Sequence, residues 1–101
     1  MVINMSLIVQ KFGGTSVADS KLIFNVAKTV TKAYDENNDV VVVVSAQGDM
    51  TDQLIFKANE INKKGSKREM DMLLSAGEQI SVALVAMAIE KMGYPVVSLL
   101  G

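Results

Sequence analysis

The stretch Lys11-Phe12-Gly13-Gly14-Thr15-Ser16 lies between a predicted strand and a predicted helix. The apolar run 7–9 precedes it, and an amphipathic helical pattern begins near Asp19. Backbone N–H groups and the positive end of a helix converge at such junctions, where α/β proteins bind anions. The two glycines allow close approach of a ligand, and the lysine supplies a mobile positive charge. The stretch therefore indicates an anion site, although a tight turn with a solvated lysine is the plain alternative.

Composition narrows the class of protein. With 101 residues, 50% hydrophobic and 21% charged, the chain is one globular domain or part of one. A net charge of −1 gives no electrostatic basis for binding nucleic acid or an acidic membrane surface. The absence of Cys and His excludes disulfides, thiol nucleophiles, the usual zinc sites and serine–histidine catalysis.

The sequence of residues 1–101 shows no recognisable targeting signal. The opening residues 1–6 lack the features of a signal peptide. The longest uncharged apolar run, 80–89, is too short to span a bilayer. We therefore expect a cytoplasmic protein without a membrane partner.

Hydrophobic periodicity predicts the element order β-α-β-α-α-β, which favours a parallel α/β sheet. Strands are predicted at 7–12, 40–44 and 96–99, and helices at 19–34, from about 54 to 64 and from Ser66 to Gly93. The unbroken valine run 40–44 is typical of a strand covered on both faces, so we expect helices on both faces in a three-layer αβα arrangement. Because the last strand has no covering helix after it, we expect an incomplete domain.

A second polar loop shares the chemistry of the first. Ser45, Gly48, Asp49, Thr51 and Asp52 follow the valine strand. The carboxyl ends of parallel strands meet at one edge of a sheet, so both loops are expected to face one crevice. That crevice would suit a phosphate together with a small polar substrate.

Glu78, on the third predicted helix, is a further candidate. It follows Gly77, whose lack of a side chain permits close approach, so the carboxylate is placed to pair with a substrate amine. The plain alternative is an exposed glutamate, with Gly77 marking tight helix packing.

Three segments together resemble the start of the aspartokinases, which belong to the amino-acid kinase family. They are KFGGTSV at 11–17, SAQGDMTD at 45–52 and LSAGEQIS at 74–81. All three occur in the family's order, and the likeness extends over nearly the whole chain. It implies an amino-acid or carbamate kinase-like fold, with residues 1–101 as the N-terminal segment of the kinase domain. The rest of that domain and the regulatory ACT domains would lie outside this segment, in a protein expected to be homo-oligomeric.

The resemblance also implies a reaction: ATP-dependent phosphorylation of the side-chain carboxylate of L-aspartate, giving 4-phospho-L-aspartate. This reaction opens the biosynthesis of lysine, threonine and methionine. Magnesium would accompany ATP, and no protein metal ligand is assigned. By position, the implied nucleotide contacts are Lys11, which also stabilises the transferring phosphoryl group, and the loop residues Gly13, Gly14, Thr15 and Ser16. The implied aspartate contacts are Ser45, Thr51 and Glu78, the last of these pairing with the α-ammonium group.

Three positions depart from the family pattern. Gln47 stands where methionine is common, Asp49 where many members have a neutral or basic residue, and Leu100 where threonine is expected. Asp49 either points outward or helps to hold the metal.

Two other functions stay open from sequence. One is a sister kinase that acts on another carboxylate or carbamate. The other is a non-catalytic α/β module that binds a small anion or pairs with a partner through an open sheet edge. The 101 residues alone are expected to be inactive.

Overall fold

The computed structural model describes residues 6–99. Two strands and three helices are present in this range, together with one short 3-10 turn. In chain order they are β1 (Ser6–Phe12), the 3-10 turn (Gly14–Val17), α1 (Ser20–Asp35), β2 (Asn38–Val44), α2 (Met50–Ile61) and α3 (Lys67–Lys91).

The two strands form a parallel pair, in register from Ser6 opposite Asn38 to Phe12 opposite Val44. α1 is the crossover that parallel strands require. It begins where the Asp19 side chain accepts a hydrogen bond from the Leu22 N–H at 2.9 Å, a cap that satisfies one of the free donors of the first turn. The predicted parallel α/β arrangement is confirmed.

One face of the sheet carries the core. α1 and α3 pack together over it, and their buried residues join Val44 in a single cluster. The members of this cluster are Val17, Ile23, Val26, Ala27, Val30, Val44, Val85, Ala88 and Ile89. The apolar side chains that recur at helical spacing along α1 are buried, whereas Tyr34 at the end of the helix is exposed.

The other face is open in the part of the chain that the structure describes. Leu7, Val9, Val41 and Val43 point away from α1 and α3 and are 44–69% exposed. Residues 6–99 thus supply the helical layer of one face only. The valine run nevertheless has the composition of a strand covered on both sides.

The predicted third strand at 96–99 is wrong for the described structure. Residues 94–99 adopt no regular structure, and the sheet has two strands within residues 6–99. Val96 and Val97 instead line a groove of about 610 Å³ beside β2. β-branched and apolar residues indicate that a segment suits a strand, but only a hydrogen-bonded neighbour makes it one.

The later helices follow their predicted signals, with one exception. Ser66 caps α3 by accepting the Glu69 N–H at 3.3 Å. Gly93 follows α3 at φ +87°, the left-handed conformation in which helices commonly stop. The exception is Ile61, the last residue of α2, whose apolar side chain is 87% exposed.

By length and composition, α3 is the one helix among residues 6–99 that passes as a membrane span. Its most apolar window has a mean hydropathy of 1.7. However, α3 packs against α1 and α2 and contributes Val85, Ala88 and Ile89 to the core. Core helices commonly pass the same test, so its hydropathy is weak grounds for a membrane role.

Tyr94 connects the end of α3 to the end of α1. Its hydroxyl donates to Asp35 Oδ2 at 2.5 Å, and its ring meets Tyr34 edge-on with centroids 5.8 Å apart. The hydrogen bond to Asp35 raises the pKa of Tyr94 above its usual value. The bond therefore stabilises the fold below about pH 10, the ordinary tyrosine pKa, and its contribution is lost as pH rises through the higher folded-state pKa.

We therefore expect Tyr94→Phe to be less stable than wild type at pH 7, with the difference shrinking above about pH 10. Urea unfolding at both ends of this range measures the difference. Tyr34→Phe, which removes a hydroxyl but keeps the ring contact, serves as the control. A gap between wild type and Tyr94→Phe that stays constant with pH would contradict the role of the Asp35 bond.

Candidate functional site

Lys11 and Gly13 lie at the carboxyl end of β1. Lys11 is the penultimate residue of the strand and is exposed, opposite Val43. Gly13 follows the strand and is exposed too, with no atom within 4 Å of the place a Cβ would occupy. The backbone at Gly13 thus borders open space, as a phosphate-binding loop requires.

The first loop, residues 13–19, contains the 3-10 turn. Thr15 and Ser16 lie inside this turn, and the Ser16 N–H donates to the Gly13 carbonyl at 3.1 Å. Asp19, and not Ser16, is the residue whose side chain caps α1. The glycine pair is therefore separated from the N-terminus of α1 by a turn that the sequence did not predict.

The second loop, residues 45–49, is hydrogen-bonded to the first. The Ser45 N–H donates to the Phe12 carbonyl at 3.1 Å, which extends the sheet by one rung. The Gly48 N–H then donates to the Gly14 carbonyl at 2.9 Å, from a positive φ of 46°. Two loops that are 30 residues apart in sequence thus form one surface at the carboxyl edge of the sheet.

Ala46 is the point where all three sequence segments meet. A Cβ on Gly14 would lie 2.5 Å from the Ala46 carbonyl oxygen. A Cβ on Gly77 would lie 3.1 Å from the Ala46 Cβ and 3.3 Å from Leu54 Cδ1. Both glycines are therefore explained by close packing on Ala46, which brings the segment of Glu78 against the second loop.

The three predicted aspartate contacts lie close in sequence either to Ala46 or to Gly77, which packs on Ala46. Ser45, half-buried, immediately precedes Ala46, and Thr51 is exposed in the first turn of α2. Glu78 is exposed on α3, one residue after Gly77. The N-terminus of α2 adds a partial positive charge near Thr51, which favours a carboxylate.

Lys11 and Glu78 lie on different elements, the first on β1 and the second on α3. The side chains of β1 alternate, so Lys11 shares the open face with Leu7 and Val9. Glu78 belongs to α3, whose C-terminal half covers the opposite face. A site that uses both residues lies at the carboxyl edge, between the two faces. Their participation in one site stays a prediction.

Asp49 and the metal can be considered together. Asp49 is exposed, and its Oδ2 accepts a hydrogen bond from Gln53 Nε2 at 3.2 Å along α2. Within residues 6–99, no three acidic side chains are grouped as a metal site would need.

Two residues of the site were not identified from sequence as contributors. Ala46 was given no role of its own, although Ser45 and Gly48 on either side of it were candidates. Gln47 was noted only as a departure from the family pattern, yet its Nε2 donates to the Val17 carbonyl at 3.0 Å. The presence of glutamine in place of the common methionine at position 47 was the sequence feature that could have indicated this hydrogen bond.

The chain is similar in sequence to aspartokinases from several bacteria. The chain is 56% identical to the aspartokinase of Geobacillus stearothermophilus over 97 residues. This match covers 96% of the chain and 24% of the relative. It is 56% identical to the aspartokinase of Mycolicibacterium smegmatis over 88% of the chain and 21% of the relative. It is 50% identical to aspartokinase 2 of Bacillus subtilis over 96% of the chain and 24% of the relative. The chain thus spans about a quarter of the length of these relatives.

A solved structure shares the fold. The crystal structure of aspartate kinase from Synechocystis superposes with a TM-score of 0.90 at 48% identity, over 92% of this chain and 16% of that one. The sequence profile of the Amino acid kinase family matches residues 6–101. The chain therefore belongs to the amino acid kinase family.

Proposed function

We propose that this chain is the N-terminal part of an ATP-dependent kinase that phosphorylates the side-chain carboxylate of L-aspartate. The observation that carries the proposal is the packing of Gly14 and Gly77 on Ala46. This packing joins the candidate phosphate loop, the Ser45–Thr51 loop and the helix of Glu78 at one sheet edge. The named relatives, all aspartokinases, support the same assignment.

In the proposed phosphoryl transfer, no protein residue needs to form a covalent bond with the substrates. A carboxylate oxygen of aspartate attacks the γ-phosphorus of ATP, the bond to the β-phosphate oxygen breaks, and ADP leaves. Positioning and charge stabilisation supply most of the catalysis in such transfers. In the proposal, Lys11 balances charge on the transferring group, and the first loop, with Gly13, Gly14, Thr15 and Ser16, follows the phosphates.

The acceptor is held by different groups. Ser45 and Thr51 donate hydrogen bonds to aspartate, and Glu78 pairs with its α-ammonium group. Magnesium, bound with the nucleotide, supplies further charge neutralisation. Other parts of a longer chain would supply the adenine site, the remaining metal contacts and the ACT domains. Such an enzyme would act in the cytoplasm, as a homo-oligomer, at the start of lysine, threonine and methionine biosynthesis.

The assay is hydroxylamine trapping with the full-length protein. Incubation with ATP, magnesium, L-aspartate and hydroxylamine is expected to yield the side-chain hydroxamate of aspartate, because hydroxylamine attacks the acyl carbon of 4-phospho-L-aspartate and inorganic phosphate leaves. The sister-kinase alternative predicts product only from another acid, such as glutamate or a carbamate. The non-catalytic alternative predicts no turnover with any acid, so the three outcomes are distinct.

Glu78→Gln tests the recognition of the substrate amine. Loss of a charge-assisted hydrogen bond of about 1.5–3 kcal/mol is expected to raise the aspartate KM about 10–100-fold, with little change in the ATP KM. Initial rates over a range of aspartate concentrations measure the effect. Glu90→Gln, a matched change at another exposed position of α3, is the control. An unchanged aspartate KM in Glu78→Gln would remove Glu78 from the site.

A further inference from the structure

The second loop holds the 3-10 turn at both of its ends. At the start, the Gly48 N–H donates to the carbonyl of Gly14 at 2.9 Å. At the end, Gln47 Nε2 donates to the carbonyl of Val17 at 3.0 Å. The first bond is made by backbone alone, so the side-chain bond of Gln47 is the one that sequence change can remove.

The surroundings of this side-chain bond favour a fixed geometry. Val17 is fully buried in the core, so its carbonyl is attached to a rigid point. Gln47 is half-buried, and the backbone on either side of it is held by Ala46 packing and by the Gly48 bond. Because both partners are already held in place, forming this hydrogen bond costs little conformational entropy. Its net contribution to the geometry of the two loops is therefore larger.

We propose that Gln47 is a positioning residue that couples the two loops, so that order in the phosphate loop and order in the substrate loop favour each other. This inference rests on the proposed function for its catalytic consequence. Between the two bonded ends of the turn lie Thr15 and Ser16, and Ser45 lies two residues before Gln47. A shift of the second loop is thereby transmitted to the turn, and a shift of the turn to the second loop.

The chemistry of position 47 is specific. Methionine, common here in the family pattern, has a similar length and volume but no N–H donor. Gln47→Met therefore removes the tie while filling the same space, and it leaves the Val17 carbonyl without this donor. The substitution isolates the hydrogen bond from packing, because volume-conserving changes disturb a structure least.

The first readout is kinetic and uses the full-length protein. Loss of one hydrogen bond of ordinary strength changes an equilibrium by about 3–10-fold. For Gln47→Met we expect the KM for ATP and the KM for aspartate both to rise by about this factor. We also expect the aspartate KM to depend less on ATP concentration than in wild type. A merely structural role would lower the amount of active enzyme, and so kcat, without changing either KM.

The second readout is amide hydrogen exchange, which does not require turnover. Residues 13–18 of Gln47→Met are expected to exchange about 3–10-fold faster than in wild type, while α1 is unchanged. Gln53→Met is the matched control, since it removes an exposed amide on α2 that bonds Asp49. We expect it to match wild type in both readouts.

The outcomes separate the two proposals. If wild type does not phosphorylate aspartate, the proposed function fails, and hydrogen exchange alone still decides whether Gln47 ties the loops. If wild type is active but Gln47→Met keeps both KM values and the exchange of residues 13–18, the positioning role is overturned. Faster exchange with raised KM values supports it.

Discussion

Lys11→Ala in the full-length protein is expected to lower kcat about 100–1,000-fold. Removing one preorganised charge or donor that stabilises a transition state typically costs that much. The effect should fall on kcat more than on KM, because charge on the transferring phosphoryl group is greatest in the transition state. Steady-state rates at saturating ATP and aspartate measure it.

The fold should survive this change. Lys11 is exposed at the end of β1, and its side chain points to the open face of the sheet rather than into the core. Lys21→Ala, which removes another exposed lysine in α1, is the matched control and is expected to keep wild-type turnover. Wild-type turnover in Lys11→Ala would exclude the lysine from the mechanism. A changed circular dichroism spectrum would instead indicate a structural effect.

Gly14→Ala is expected to have the largest effect on stability, lowering the free energy of unfolding by about 2–3 kcal/mol. The new Cβ would lie 2.5 Å from the Ala46 carbonyl oxygen and 3.3 Å from that of Gly48, both backbone atoms with little room to move. Relief would require the two loops to separate, which would break the 2.9 Å bond between Gly48 and Gly14. Urea unfolding of the full-length protein gives the free energy.

Gly13→Ala is the natural control for Gly14→Ala. The neighbouring glycine has open space around its missing Cβ and an ordinary φ of −77°, so a methyl group there is expected to cost little stability. Equal stabilities of the two variants would contradict the close contact between Gly14 and Ala46.

The contact between Gly77 and Ala46 can be tested with a compensating pair of substitutions. Gly77→Ala would bring two Cβ atoms to 3.1 Å, and Ala46→Gly would remove one of them. The double variant is therefore expected to be more stable than the sum of the two single changes predicts, since contacting residues do not behave additively.

The candidate site was largely predictable as a set of segments, but its arrangement was not. Gly14 and Gly77 were suspected of allowing close approach because glycine has no side chain. Neither the sequence nor its periodicity could show that both approach the same residue, Ala46. The coupling of Gln47 to Val17 was equally hidden, because a side-chain bond across 30 residues leaves no periodic trace.

The amino-acid sequence by itself determined the elements that local chemistry controls. It specified the strands β1 and β2, the cap at Ser66 and the stop at Gly93, since these depend on residues within about one turn of each other. Tertiary structure decided the rest: which sheet face α1 and α3 cover, the 3-10 turn after β1, and the unpaired course of residues 94–99. These features depend on which sequence-distant elements pack against each segment. Tertiary packing determines that contact, and the pattern of a single segment does not.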